Sequence, residues 1–194
     1  MLVLASASPR RQELLRNAGI PFTVQAANID ETPRPGESPR DCAERLARKK
    51  ALAVFQTRQQ DYVLGADTIV VVEGAILGKP RDTNDAERML RMLSGRTHSV
   101  ITGVCLTRAA ASDRLQVASK AETVSETTLV TMCQISDREI RAYVATGEPM
   151  DKAGAYAIQG MASRWIERIE GDYCNVVGLP VALVYRMLRE LEVV

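Results

Sequence analysis

The stretch Leu2-Val-Leu-Ala-Ser-Ala-Ser-Pro-Arg-Arg11 decides the fold class. The apolar run from Leu2 to Ala5 predicts a short buried strand, and small hydroxyl residues follow it at once. Ser8 stands where a helix N-cap belongs, and Pro9 takes the first helical position, where a missing N–H is tolerated. The sequence therefore predicts a strand that leads directly into a helix, which is typical of an α/β protein.

The start of this predicted helix has the character of an anion site. Backbone N–H groups and the positive end of the helix dipole attract anions, and Ser6, Arg10 and Arg11 add polar or positive side chains. Positive charge in a first turn opposes the helix dipole, so a bound anion would explain it. The alternative, solvated arginines at a helix start, stays open on this segment alone.

Length and composition indicate an ordinary globular protein, which we expect to form a single domain over residues 1–194. The chain has 194 residues, 46% of them hydrophobic and 25% charged. Its 25 basic and 24 acidic residues leave a net charge of +1, which offers no general attraction to nucleic acid or to an anionic membrane. Any positive site must therefore be local.

Cysteine and histidine usage argues against a zinc site. The four cysteines lie far apart without a C-x-x-C pair, and His98 is the single histidine. Scattered cysteines are typical of buried thiols in a reducing compartment. The apolar N-terminal stretch is too short for a secretory signal, and no run approaches membrane-spanning length, so we expect a cytoplasmic protein.

Strand and helix patterns alternate along the rest of the chain. The segment from Thr97 to about Ile135 is different, because two long β-branched segments flank a turn near Ala110 to Asp113, which predicts an antiparallel pair. The sequence thus predicts an α/β fold with a mixed sheet and flanking helices. Further strands are predicted at 22–25, 62–72, 75–77 and 164–169, and further helices from 38, at 83–93, from the capping box at 136–139 to about 145, and at 180–191.

Charged residues at the predicted element ends suggest a metal and phosphate site. Asp67 interrupts an apolar run, where a carboxylate is costly unless it is paired, bound to a metal or at a cleft edge. Asp30-Glu31 adds carboxylates for a hard divalent cation, and Lys50 and Lys79 add charge for phosphate oxygens. Taken singly, these residues could also be a turn aspartate, a solvated acidic loop and surface lysines.

Familiar nucleotide and hydrolase motifs are absent from the sequence. It has neither G-x-x-x-x-G-K-[ST] nor a G-x-G-x-x-G after the first strand. A serine hydrolase is a weak alternative, since no G-x-S-x-G elbow exists and His98 is the sole imidazole base. We interpret His98 as an ordinary polar residue at a strand start.

Seven ordered motifs resemble those of the Maf-type nucleoside triphosphate pyrophosphatases, nearly from end to end of the chain. They are Ser6-Ala-Ser-Pro-Arg-Arg11, Ile29-Asp-Glu31, Arg48-Lys-Lys50, Gly65-Ala-Asp-Thr68, Gly78-Lys-Pro-Arg-Asp82, Leu93-Ser-Gly-Arg-Thr-His98 and Asp151-Lys-Ala-Gly-Ala-Tyr-Ala-Ile-Gln-Gly160. The resemblance implies an inosine-triphosphate-pyrophosphatase-like fold, with an elongated mixed sheet and two lobes around a deep cleft. It also implies cytoplasmic hydrolysis of a nucleoside triphosphate to monophosphate and pyrophosphate, dependent on Mg²⁺ or another divalent metal such as Mn²⁺.

The resemblance also implies residue roles. Asp67 is expected to act as general base and, with Glu31, to hold the metal. The expected phosphate ligands are Ser6, Arg11, Lys50 and Lys79. A nucleoside triphosphate is the expected partner, without nucleic acid or membrane, and a homodimer is left open.

Three positions match the branch that resembles dTTP/UTP pyrophosphatases, namely Arg10, Thr68 and Gln159. The branch acting on 7-methyl-GTP carries a bulky aromatic residue, Gln or a similar residue, and Glu at these positions. The resemblance therefore predicts hydrolysis of dTTP and UTP, with removal of modified pyrimidine nucleotides as one purpose. The alternative is a nucleotide-binding regulator of cell division or septum formation with little turnover.

Overall fold

The computed structural model describes residues 1–109 and 119–193. Its strands agree with the sequence prediction in number and order, while the predicted turn at 110–113 lies outside the described residues. The strands are β1 (Leu2–Leu4), β2 (Thr23–Val24), β3 (Tyr62–Val72), β4 (Ala75–Leu77), β5 (Thr97–Ala109), β6 (Ser119–Met132) and β7 (Ile166–Glu170).

One sheet contains all the strands of the described residues, in the order β2-β1-β3-β5-β6-β7, with β4 paired to β3. Strand β1 runs parallel to β2 and β3, with Val3 opposite Thr23 and Val63. The pairs β3–β4 and β6–β7 are antiparallel. The predicted mixed α/β architecture is confirmed, and the two long segments β5 and β6 are neighbours in the sheet.

Most of the helices begin at sequence signals that were predicted from the chain, whereas the short helix at Tyr173–Val177 was not predicted. Ser38 accepts a hydrogen bond from the Asp41 N–H, and Ser136 and Glu139 form the predicted capping box. The helices are α1 (Pro9–Asn17), α2 (Pro39–Phe55), α3 (Thr83–Leu93), α4 (Asp137–Val144), α5 (Tyr173–Val177) and α6 (Val181–Glu190), with 3₁₀ turns at Glu148–Asp151, Ala153–Ala155 and Met161–Trp165.

Some predicted boundaries were wrong by one or two residues. The strand predicted at 22–25 is only Thr23–Val24, because its partner β1 is itself three residues long. The strand predicted from 164 begins at Ile166, because the preceding residues close a 3₁₀ turn. Ser8 precedes α1 as predicted, but its side chain makes no capping hydrogen bond, and its N–H instead donates to the Ser6 hydroxyl at 3.2 Å.

The chain divides into two compact units. The first comprises Met1–Asp67, Thr102–Glu126 and Gly178–Val194, and the second comprises Thr68–Ile101 and Thr127–Val177. A single domain over residues 1–194 stays a prediction. None of the helices in the described ranges is long and apolar enough to cross a membrane.

The core of the first unit covers both faces of its strands. Leu4 and Leu64 pack in one cluster with Leu188 of α6, whereas Val3 and Val63 belong to a second cluster. Alternate residues of a strand point to opposite faces, so a sheet that is covered on both sides needs an uninterrupted apolar run. This explains why Leu2 to Ala5 shows no polar alternation.

Candidate active site

Two carboxylates converge on one lysine in the first unit. The Nζ atom of Lys50 lies 2.5 Å from Oδ1 of Asp67 and 2.7 Å from Oε1 of Glu31. Lys50 and Asp67 are only 8% and 7% exposed, whereas the Glu31 side chain is about half exposed. The buried carboxylate in the apolar run is therefore paired, and the acidic loop supplies a second carboxylate at the same point.

Close packing of α2 on β3 makes this pairing geometrically feasible. Lys50 shares the buried face of α2 with Ala47 and Ala51, and Asp67 lies in the middle of β3. Gly65 has no side chain at the point where the α2 backbone passes over the strand. Helix α2 can therefore pack close to the sheet, so that the Lys50 side chain reaches the Asp67 carboxylate.

Arg11 joins three parts of the first unit. Its Nε donates to the Gly178 carbonyl at 2.8 Å, and its Nη1 donates to the Ala66 carbonyl at 2.9 Å and to the Ser6 hydroxyl at 3.2 Å. Burial lowers the pKa of the guanidinium, and the negative charges of Asp67 and Glu31 oppose that shift. Arg11 therefore brings a buried positive charge to the backbone that carries Asp67.

The two residues of the Asp30-Glu31 pair have different partners. Asp30 Oδ1 accepts hydrogen bonds from the N–H of Thr32 at 2.9 Å and from its hydroxyl at 2.6 Å, and these bonds lower the pKa of Asp30. This carboxylate therefore stabilises its own loop, whereas Glu31 contacts Lys50. The local sequence pattern does not distinguish the two adjacent carboxylates, and only the family resemblance singled out Glu31.

The structure thus brings together Ser6, Arg11, Glu31, Lys50 and Asp67. Arg10 is half-buried in the first turn of α1. Thr68 follows Asp67 directly along β3 but belongs to the second unit, as do the exposed Lys79 and Gln159. Within that unit the Gly154 N–H donates to the Gly78 carbonyl at 3.1 Å, which connects the backbone next to Lys79 to the segment that leads to Gln159.

Sequence reasoning missed a set of buried polar groups in the second unit. His98 does lie at the start of β5, as predicted, but it is 2% exposed and its Nε2 is 2.8 Å from the Tyr156 hydroxyl. Burial lowers the pKa of His98 to about 4. Tyr143 and Glu148 also form a hydrogen-bonded pair. The sequence analysis ended a helix near residue 145 and assigned no role to Tyr143 or Glu148, because neither belongs to a motif or to a charged cluster.

The carboxylates fit one kind of magnesium site. Within residues 1–109 and 119–193, no group of three or more His, Cys, Asp or Glu side chains could hold a metal ion by itself. Mg²⁺ commonly binds through one or two carboxylates together with waters and substrate phosphates. Glu31 and Asp67, which already share one cation, match that donor set.

The mixed sheet carries a buried arginine, a lysine and two carboxylates around one strand. This combination of charges is typical of proteins that act on phosphate groups. The family model of the Maf-like proteins matches residues 1–191. The chain belongs to the Maf family.

Curated relatives named dTTP/UTP pyrophosphatase match almost the whole chain. The protein from Koribacter versatilis is 56% identical over 99% of this chain and 95% of its own length. Those from a Geobacter species and Syntrophomonas wolfei are 53% and 52% identical, over 97% and 95% of this chain and 94% of each relative. Among solved structures, a HAM1 protein from Coxiella burnetii is 22% identical, with a TM-score of 0.39 and coverage of 66% of this chain and 72% of that chain.

Proposed function

We propose that this protein hydrolyses dTTP and UTP to the nucleoside monophosphate and pyrophosphate. The observation that carries the proposal is the Asp67 carboxylate, buried in β3 and held at Oδ1 by Lys50, with Glu31 on the same lysine. Membership of the Maf family and the names of the relatives support the reaction class. Arg10, Thr68 and Gln159 support the pyrimidine branch.

In the proposed reaction, water attacks the α-phosphorus and Asp67 removes the proton. Lys50 holds Oδ1, so we assign the proton to Oδ2 of the same carboxylate. A bond forms between the water oxygen and the α-phosphorus, and the bond from that phosphorus to the oxygen bridging to the β-phosphate breaks, which releases pyrophosphate. Positive side chains stabilise the charge that grows on the leaving group, and we assign this role to Arg11, Lys50 and Lys79, with Ser6 as a further phosphate ligand.

We assign Glu31 and Asp67 as the side chains that would hold Mg²⁺, or Mn²⁺ in its place. A divalent ion there would neutralise charge on the phosphates and would lower the pKa of the attacking water. The protein's own side chains position Asp67, because Lys50 donates to its carboxylate and Arg11 donates to the carbonyl of the preceding residue, Ala66.

Base selection is proposed to depend on Gln159, with Thr68 and Arg10. Uracil and thymine present O4, N3–H and O2 as acceptor, donor and acceptor, and a glutamine amide can pair with part of that edge. Cytosine has an amino donor in place of O4 and an acceptor in place of N3–H, so polar groups of a site that fits uracil stay unpaired. Such a mismatch lowers kcat/KM by roughly tenfold to a hundredfold.

The deciding experiment measures pyrophosphate release from dTTP, UTP, CTP, purine triphosphates and 7-methyl-GTP, scored by kcat/KM. We expect dTTP and UTP to lead, and ¹⁸O from labelled water to appear in the monophosphate. Label in orthophosphate beside a diphosphate product would place attack at the γ-phosphorus and contradict the mechanism. Nucleotide binding without turnover would favour the regulator instead.

We further propose a cytoplasmic location and a free nucleotide as the partner. The described thiols of Cys42, Cys105, Cys133 and Cys174 are all free, which supports a reducing compartment. The near-neutral charge of the chain supports a small substrate over nucleic acid.

A further inference from the structure

Two side chains hold the backbone on either side of Gln159. The Tyr143 hydroxyl accepts a hydrogen bond from the Ala157 N–H at 3.2 Å and donates to Glu148 Oε1 at 2.8 Å. The same Oε1 accepts from the Met161 N–H at 3.2 Å. The segment 157–161, here called the base turn, is therefore tied at both ends to one pair of side chains.

Gly160 makes room for this arrangement. A Cβ at position 160 would overlap the Glu148 carboxylate, and the three atoms nearest to it all belong to that carboxylate. The Gly160 N–H donates to the Ala157 carbonyl at 3.1 Å, which closes the turn. Gln159 remains exposed within the closed base turn.

Tyr143 and Glu148 are here called the clamp, and Tyr143 packs against another side chain of the same unit. Tyr143 is fully buried and meets the Trp165 ring edge-on, with ring centroids 5.2 Å apart. Burial raises the pKa of the Tyr143 phenol, and its hydrogen bond to Glu148 adds to that shift, so the hydroxyl keeps its proton at neutral pH. Tyr156, which directly precedes the base turn, is hydrogen-bonded to His98.

We propose that Tyr143 and Glu148 are positioning residues for base selection, which act through the base turn on Gln159. The inference rests on the proposed function, in which Gln159 pairs with the pyrimidine. Discrimination between bases needs the amide to be presented from a position fixed within about half an ångström, because an amide carried on a mobile backbone can shift to match either base. The hydrogen bonds on both flanks of Gln159 fix the backbone from which its amide reaches the base.

The test is a double-mutant cycle on Glu148 and Gly160. Glu148→Ala removes the acceptor, and Gly160→Ala displaces it, so each should lower the ratio of kcat/KM for UTP over CTP by about tenfold. The double variant should be no worse than Glu148→Ala, because the added methyl group then has no carboxylate to displace. Glu148→Gln keeps one acceptor oxygen and should retain most of the ratio.

A matched pair of tyrosine variants separates base selection from general stability. Tyr143→Phe should lower the UTP to CTP ratio, mainly through the KM for UTP, whereas Tyr173→Phe removes a hydroxyl from an exposed ring of the same unit and should not. Hydrogen exchange at residues 157–161 should accelerate in Glu148→Ala and Tyr143→Phe, with or without substrate.

The possible failures are distinguishable. Unchanged exchange in the base turn, or an unchanged UTP to CTP ratio in Tyr143→Phe and Glu148→Ala despite lower melting temperatures, would overturn the clamp. Absence of any preference for UTP over CTP in the wild-type protein would instead count against the proposed base specificity.

Discussion

Gly65 in β3 lies so close to Ala47 in α2 that a Cβ at position 65 would overlap the Ala47 carbonyl oxygen. The Ala51 backbone nitrogen is also near that position, so a full turn of the helix rests on the strand. One residue before Ala51, Lys50 reaches the Asp67 carboxylate. Because Gly65 has no side chain, α2 packs closely enough on β3 for Lys50 to reach Asp67, two residues further along the strand.

Gly65→Ala should lower both stability and activity. The methyl group would meet helix backbone and the Ala51 Cβ, none of which can rotate away, so overpacking should cost about 1–3 kcal/mol of unfolding free energy. The helix must also move away from the strand, which weakens the contact between Lys50 and Asp67. Urea denaturation and pyrophosphate release measure the two effects. Gly78→Ala is the control for stability, since a Cβ there meets open space. Wild-type stability in Gly65→Ala would contradict the packing argument.

Asp67→Asn should reduce turnover by ~10²-fold or more, because the amide keeps the size of the side chain but cannot accept the proton. Nucleotide binding and the far-ultraviolet circular dichroism should change little. Asp61→Asn, one residue before the same strand, is the matched control and should retain activity. Near-wild-type turnover in Asp67→Asn would falsify its assignment as the base.

Glu31→Gln should raise the Mg²⁺ concentration that gives half-maximal rate, because a neutral amide is a poorer ligand for a hard cation. Asp30→Asn offers the comparison, since Asp30 is bound to Thr32 rather than to Lys50. Both variants replace a carboxylate with the corresponding amide, and the two positions are adjacent in the same loop. Equal metal dependence in both would show that Glu31 is merely a loop residue.

The single histidine predicts a specific pH dependence of stability. Burial lowers the pKa of His98 from 6.5 to about 4 in the folded protein, so the unfolded chain binds the proton more readily between these values. The free energy of unfolding should therefore fall as pH decreases through 6.5, by about 1 kcal/mol between pH 7.5 and 5.5, and level off below about pH 4.

Urea titrations at several pH values, compared with His98→Gln, measure this effect. The variant removes the titrating group and should lose most of the slope above pH 5.5, where most carboxylates remain ionised. An identical slope in the two proteins would mean that His98 is not the group responsible.

Local sequence signals were enough to predict most of the fold. The run Leu2 to Ala5, the Ser38-Pro39 helix start and the capping box at Ser136 depend on residues within one or two turns of each other. The boundaries that were wrong, such as the start of β7, depend on how long a partner strand is or on a turn closed by backbone hydrogen bonds. The extent of β2 is set by a partner strand about twenty residues away in sequence, whereas the start of β7 is set by the geometry of the turn directly before it.

The sequence by itself determined the class of fold, the family motifs and the list of charged candidates, because each is written in adjacent or periodic residues. Tertiary structure decided their partners. It paired Glu31 with Lys50 and Asp30 with Thr32, brought Lys50 to Asp67, and directed Arg11 to the carbonyl of Gly178, 167 residues away. Burial of a charge demands a partner, but which partner it finds depends on how closely helix and strand backbones approach, and that distance exists only in the folded chain.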